Sequence, residues 1–431
     1  MRSILLIAIL AANLVAHAQG YTNWFVGNTA NSTAQPLGGV CLMGGATEND
    51  EAMRWFLQRA NGGDVLVLRA SGSNGYNNYF LNQLGVPVNS VETIRFDNAT
   101  AANAAYVRDR IQRAEAIWFA GGDQWNYVNY WRGTAIDSLI NVAVAQRNIV
   151  IGGTSAGMAI LGAVYFSAQN GTVTTTSALQ NPYGPTMTVD NTPFLQIPFL
   201  AEVVTDSHYD SPDRRGRHVA FMARAFTDHG INAKGIACNE YTAVCVTPDG
   251  QARVFGEWPQ YPEYAYFLQV NCEQPEGPEV CQPGVPLTWN RGGQAVKAYK
   301  VPGTMSGTHS FDLNTWLTGS GGAWEDWSVQ QGVFSAVSGT PVSDCLTTSV
   351  QPIAEVPGEL RVDMQARQYV LRGMSDIRSL RVSDALGRVV PVEILRTADG
   401  AVVAWDALPP GIHLLVVELR DGSRTWRLFG E

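Results

Sequence analysis

Ile149-Val150-Ile151-Gly152-Gly153-Thr154-Ser155-Ala156-Gly157-Met158-Ala159-Ile160-Leu161 decides the fold. The stretch starts as a β-branched run, narrows to small residues around one serine and continues as an apolar, helix-favouring segment. Gly153, Ser155 and Gly157 spell G-x-S-x-G, the strand-to-helix turn that lifts a serine hydroxyl clear of a sheet. So sharp a turn leaves no room for bulky neighbours, and the helix that follows directs free N–H groups and its positive end at the reacting atoms. Ser155 is therefore the candidate nucleophile.

Working outward, the same alternation repeats upstream. Residues 39–45 read as a core strand ending in Gly44-Gly45, followed by a helix capped by Thr47 or Asn49, with Met53, Phe56, Leu57 and Ala60 on one apolar stripe. Residues 64–68 form the next strand, a Ser/Gly/Asn loop runs through Asn78, and a helical pattern covers 101–113. Residues 116–120 are a strand closed by Gly121-Gly122-Asp123-Gln124, and a helix then leads into the Ser155 strand. Alternating strands and helices predict an α/β domain with a doubly wound, mostly parallel sheet. Its ligands would lie at the carboxyl ends of the strands, where three glycine-rich exits converge. Downstream, 234–246 and 252–256 read as strands joined through Pro248-Asp249-Gly250. Residues 257–346 read as β-structure and loops. Trp316, Trp324 and Trp327 could stack a sugar there, but packing is the favoured reading.

Composition excludes several functions. The net charge of -9 argues against nucleic acid or an anionic membrane as the main partner. With only Lys234, Lys297 and Lys300 as lysines, there is no phosphate-cradling G-x-x-x-x-G-K loop. Residues 1–18 read as a signal peptide, with Arg2, an apolar run too short to span a bilayer and Ala16-His17-Ala18 at the cleavage site; no later stretch could span a membrane. An exported chain is the expectation. Among six cysteines, Cys272 and Cys281 flank a Pro/Glu/Gly-rich loop and are expected to pair, whereas Cys41 should stay a buried thiol. A composition shift over 347–356 marks a linker, after which 357–431 reads as a small β-sandwich with ten arginines and no lysine.

A serine nucleophile needs a base and an orienting acid. Outside the signal segment and the tail, the candidates are His208, His218, His229 and His309. His208 follows the apolar run 203–205 and Asp206-Ser207, where a base projecting from a strand end would stand. His218 and His229 flank a helical stretch and more readily cap or pack it. Asp206, His208 and Asp210 could suggest a metal site, but the neighbouring arginines repel cations, so no metal is expected. Glu240, after the strand 235–239, can supply the acid; a solvated hairpin glutamate is the alternative.

At these residues a resemblance emerges. Phe119-Ala120-Gly121-Gly122-Asp123-Gln124, Gly153-Thr154-Ser155-Ala156-Gly157, Asp206-Ser207-His208-Tyr209 and Gly235-Ile236-Ala237-Cys238-Asn239-Glu240-Tyr241-Thr242-Ala243 resemble the cyanophycinase branch of the peptidase E (aspartyl dipeptidase) family of serine peptidases, over about 38–256. The resemblance implies a class I glutamine-amidotransferase-like sheet and a cofactor-free peptidase acting on aspartyl-containing peptides or polymers. It implies Ser155, His208 and Glu240 as nucleophile, base and acid. Gly121, Gly122 and Ala156 become the oxyanion hole, and Asp123, Gln124, Asp206, Arg214 and Arg217 the substrate-binding set. In that family the histidine typically follows a glutamine and precedes three spaced arginines that hold an aspartyl-arginine substrate. Here Ser207 and Pro212 stand at the glutamine and first arginine positions, while Arg214 and Arg217 match the others and could clamp carboxylates or form a surface ion-pair patch.

The order serine, histidine, acid differs from the esterases of the α/β-hydrolase type, where the acid lies between serine and histidine. In that alternative Asp228 and His309 would complete the triad; a non-catalytic surface-binding protein on the same fold is the third reading. The tail, through 380–390 and 408–416, resembles the C-terminal sorting domain of the type IX secretion system. That implies secretion machinery as a partner and a secreted or surface-attached protein. A homodimer is left open.

Overall fold

The computed structural model describes residues 20–341 and, beyond them, 359–363, 368–372, 377–384, 388–397, 400–404, 408, 411–418 and 423–430. The predicted signal peptide and the linker over 347–356 lie outside the described residues. The chain divides into two compact units, Met1–Cys345 and Leu346–Glu431.

A ten-stranded sheet forms the frame of the first unit. Its centre is parallel: Ser90–Phe96, Asp64–Arg69, Ala116–Phe119, Val150–Thr154 and Gly39–Met43 lie side by side in that order. Tyr21–Gly27 adds antiparallel to one edge. Ala243–Val246, Gln251–Phe255, His309–Asp312 and Gly319–Ser320 continue antiparallel from the other. The sheet is thus mixed rather than mostly parallel. Two of these pairings, Ala243–Val246 with Gln251–Phe255 and His309–Asp312 with Gly319–Ser320, are hairpins whose short connections permit only antiparallel neighbours.

Alternation along the central strands sorts their side chains onto two faces. Leu66, Leu68, Ile117, Phe119 and Ile151 bury against the helices Ala105–Arg113, Gln124–Trp131 and Ala135–Arg147. Val65, Val67, Ala116, Trp118 and Val150 bury against Asp50–Arg59. Asn49 caps that helix, its side chain accepting from the Ala52 N–H at 3.1 Å. Helices therefore cover both faces, as the strand–helix alternation predicts.

Two elements depart from the sequence reading. The expected loop through Asn78 is instead a helical turn, Gly75–Asn78, followed by a wider π-type turn, Tyr79–Gln83, held by Phe80 packing against Phe56 and Trp118. Ser90–Phe96, a full strand, went unread. Its charged Glu92 is buried and paired with Arg110 of the neighbouring helix, so charge in the pattern did not mean exposure.

A second, six-stranded sheet carries Val203–Asp206 and Lys234–Cys238 as parallel neighbours. Tyr264–Val270, Val296–Pro302, Ala323–Gln330 and Val333–Ser338 extend it antiparallel. The helix Arg215–His229 packs on it through Val219, Phe221 and Met222. Trp316 and Trp327 are buried in the cores of this unit. Cys281 is a free thiol buried in the second-sheet core, so the predicted pairing with Cys272 does not form; Cys272 is disulfide-bonded, but not to Cys281. Cys41 is a free buried thiol.

In the second unit, two four-stranded antiparallel sheets share one core of Tyr369, Leu371, Val382, Ala401, Val403, Leu415 and Val417.

Candidate active site

The strand Val150–Thr154 ends on Ser155, and a one-turn helix, Ala156–Ala159, starts immediately after it. Ser155 has φ 54° and ψ -118°, a strained region for a residue with a side chain. Two contacts hold it there. The Ser155 N–H donates to the Met43 carbonyl on the adjacent strand at 3.1 Å. Gly157 is packed so tightly that a Cβ would stand 2.2 Å from the Phe119 carbonyl oxygen, which accounts for glycine at that end of G-x-S-x-G.

His208 and Glu240 come from the second sheet. Val203–Asp206 and Lys234–Cys238 are parallel and in register, Asp206 opposite Ala237, so the loops leaving them emerge side by side. His208 Nε2 lies 2.8 Å from Ser155 Oγ, and Nδ1 lies 2.6 Å from Glu240 Oε1. Because a carboxylate only accepts, Nδ1 carries the proton toward Glu240 and Nε2 is left to accept from the serine hydroxyl. Both side chains keep about a quarter of their surface exposed, at 24% each, so the relay faces solvent on one side.

Residues to which the sequence assigns no such role fix this geometry. The His208 N–H donates to the Gly44 carbonyl at 2.7 Å, and the Tyr241 N–H to the Gly45 carbonyl at 3.1 Å. Asp210 Oδ1 accepts from the Glu240 N–H at 2.9 Å. The Gly44-Gly45 exit was legible as a ligand-facing turn, but its role is to seat the imidazole.

Of the other histidines, His218 is buried within its helix, with Nδ1 on Tyr209 Oη at 3.0 Å and Nε2 on the Val204 carbonyl at 3.2 Å. Burial pulls its pKa down to about 4, which keeps it neutral. His309 Nδ1 bonds to the Pro302 carbonyl, and Asp228 pairs with Arg224 and accepts from Tyr183 Oη. The esterase-type arrangement of Asp228 with His309 is not assembled around Ser155.

Gly121 lies across from the serine, where a Cβ would be 3.5 Å from Ser155 Cβ. Among the described residues, no protein acceptor engages the N–H of Gly121, Gly122 or Ala156. Tyr127 Oη anchors the Gly121 turn by donating to the Ala120 carbonyl at 2.8 Å and the Gly121 carbonyl at 3.1 Å.

The expected substrate-binding set is engaged elsewhere. Asp123 caps the helix Gln124–Trp131, and Gln124 Nε2 donates to the Phe166 carbonyl at 2.7 Å. Arg217 grips Asp206 with Nε at 2.9 Å and Nη2 at 2.5 Å, and both residues are nearly fully buried. Burial alone would push the Asp206 carboxyl up; the Arg217 guanidinium outweighs it and holds the group below the usual range. Arg214 Nη1 donates to the Ser207 carbonyl at 3.0 Å. A cleft of about 830 Å³ opens instead over Ser155 and His208, walled by Glu48, Arg69, Tyr76 and Tyr79.

Residues 73–252 match Peptidase family S51. Cyanophycinases of Synechococcus elongatus and Thermosynechococcus vestitus (strain NIES-2133 / IAM M-273 / BP-1) are each 23% identical over 267 residues, covering 58% of this chain and 77% of theirs. The crystal structure of a peptidase from an acI-B1 Actinobacterium aligns at 14% identity and a TM-score of 0.37, covering 53% of this chain and 93% of that one. The segment that matches Peptidase family S51, residues 73–252, holds Ser155, His208 and Glu240.

Proposed function

We propose that this protein is a serine peptidase that cleaves aspartyl-containing peptides or polymers through an acyl-enzyme on Ser155. The continuous relay Ser155 Oγ–His208 Nε2, His208 Nδ1–Glu240 Oε1 carries the reading. The substrate class is supported by the family and by the cyanophycinase relatives.

Ser155 Oγ attacks the scissile carbonyl carbon as His208 Nε2 takes its proton. Glu240 stabilises the imidazolium that forms. The developing oxyanion is received by the N–H groups of Ala156 and the Gly121-Gly122 turn, each such donor being worth about 10²–10³ in turnover. His208 then gives its proton to the leaving amine, and the C–N bond breaks. Water attacks the ester with His208 again as base, freeing the acid product and Ser155. Export by the N-terminal segment, and sorting through the second unit, complete the proposal as its setting.

The test is a panel of α- and β-linked aspartyl peptides assayed with the wild-type chain and Ser155→Ala. Turnover should vanish in the variant while its circular dichroism stays unchanged. Undiminished hydrolysis by Ser155→Ala would overturn the reading.

A further inference from the structure

Arg217 is closed on Asp206 and Arg214 is turned to the Ser207 carbonyl, and neither lines the cleft over Ser155. Among the described residues, the lining of the Ser155 cleft contains one arginine or lysine, Arg69.

Arg69 closes the strand Asp64–Arg69. Leu68 pairs with Phe119 and Phe119 with Gly153, so Arg69 stands level with Thr154, two strands away. At about 4.8 Å per strand, the two backbones are roughly 10 Å apart, within the span of a substrate residue seated over Ser155. The guanidinium is fixed rather than free: Nε donates to the Ser71 carbonyl and Nη1 to the Ser73 carbonyl. Gly72 between them has φ +81°, and a Cβ there would meet Nη2 at 2.3 Å, so the loop wraps closely around the charged head. Nη2 has no acceptor among the described residues.

Glu48 is the one carboxylate that lines the same cleft, again among the described residues. Its Oε1 accepts from Tyr76 Oη, and burial pushes its carboxyl up. Arginine stays charged throughout the working range of pH, so Arg69 brings a lasting positive charge to the cleft. Tyr76 and Tyr79 give the cleft an aromatic wall beside it.

We propose that Arg69 is the specificity-determining residue of the Ser155 cleft, its guanidinium receiving a carboxylate of the substrate. The proposal rests on Ser155 as the nucleophile. A carboxylate can come from an acidic side chain or from the free C-terminus of a short peptide, and an oriented guanidinium suits either.

The experiment compares matched peptides, aspartate against asparagine and free against amidated C-terminus, on the full-length wild type, Arg69→Gln and Arg69→Lys, with Ser155→Ala as blank. The wild type should prefer one carboxylate by about 10–100-fold in kcat/KM, as a site built for a charged hydrogen bond does. In Arg69→Gln that ratio should collapse toward unity, chiefly through KM, and Arg69→Lys should restore part of it. The arm in which the ratio collapses names the source. A ratio that persists in Arg69→Gln overturns the proposal. So does an equal loss on every peptide, which is what a purely loop-holding arginine would give. A wild type without preference whose Ser155 still takes a serine-directed acylating probe overturns the role of Arg69 alone. Absence of both turnover and acylation removes the nucleophile reading and this inference with it.

Discussion

His208 lies on the backbone of Gly45: a Cβ on that residue would stand 2.4 Å from Nε2, the atom that faces Ser155 Oγ. Gly45 also has φ +114°, a conformation that side chains rarely adopt. Gly45→Ala should therefore displace the imidazole and leave most of the fold intact. The expected loss is about 10²–10⁴ in kcat, the usual worth of a positioned general base. Steady-state kinetics and circular dichroism check it; a fully active, folded variant would show that the imidazole has room to move.

Glu240→Gln keeps a side chain of the same shape but removes the charge that favours imidazolium. Its amide oxygen can still accept from Nδ1, so the ground-state geometry should survive. We expect kcat to fall by about 10⁴ with KM little changed, because the interaction strengthens only as His208 becomes charged. Burst kinetics should place the loss in acylation. A change confined to KM would mean that Glu240 binds substrate instead.

Much of this arrangement was legible because its signals are local. The small residues around Ser155 need no tertiary information to be read as a strand-to-helix turn, and Thr47 with Asn49 announces a helix start by position, though not which of the two caps it. What escaped depends on partners remote in sequence. By sequence Arg217 reads equally as a substrate clamp or as part of a surface ion-pair patch, because its spacing says nothing of Asp206, eleven residues earlier and folded beneath it. The parallel character was overestimated because the sheet's outer strands arrive from the extension and from Tyr21–Gly27. The loop between Cys272 and Cys281 predicts a pair, yet Cys281 packs into the core beneath the helix Arg215–His229 as a free thiol. Gly45 was visible as a glycine, but not as the seat of a histidine 163 positions later.

The Asp206–Arg217 pair makes its own prediction. Arg217→Met would leave a buried carboxylate uncompensated, which costs about 3–5 kcal/mol. Asp206 is held below its ordinary pKa, so its contribution is present above the unfolded value of about 3.9 and is lost as pH falls through the folded value. Urea unfolding at pH 7 should show the full loss in Arg217→Met, and the gap to wild type should narrow toward pH 3. A variant of unchanged stability with a raised KM would instead return Arg217 to the substrate.

At the opposite end of the same strands from Ser155, Glu115 gives a pH dependence of the other sign. Its Oε2 accepts from the Asp64 N–H at 2.7 Å, while its own N–H donates to the Asp64 carbonyl at 2.9 Å. Burial pushes the carboxyl up to about 7, with the Asp64 carboxylate adding to the rise and Arg147 opposing it. Between about pH 4.3, the unfolded value, and pH 7 the folded chain thus holds a proton that the unfolded chain has released. Stability falls as pH rises through that window and levels off above it. Glu115→Gln cannot ionise and keeps an acceptor for the Asp64 N–H. Its stability relative to wild type should climb from pH 5 to pH 7 by about 1–3 kcal/mol and then stay flat, read from urea midpoints at constant m-value. A difference independent of pH would mean that Glu115 ionises alike in both states.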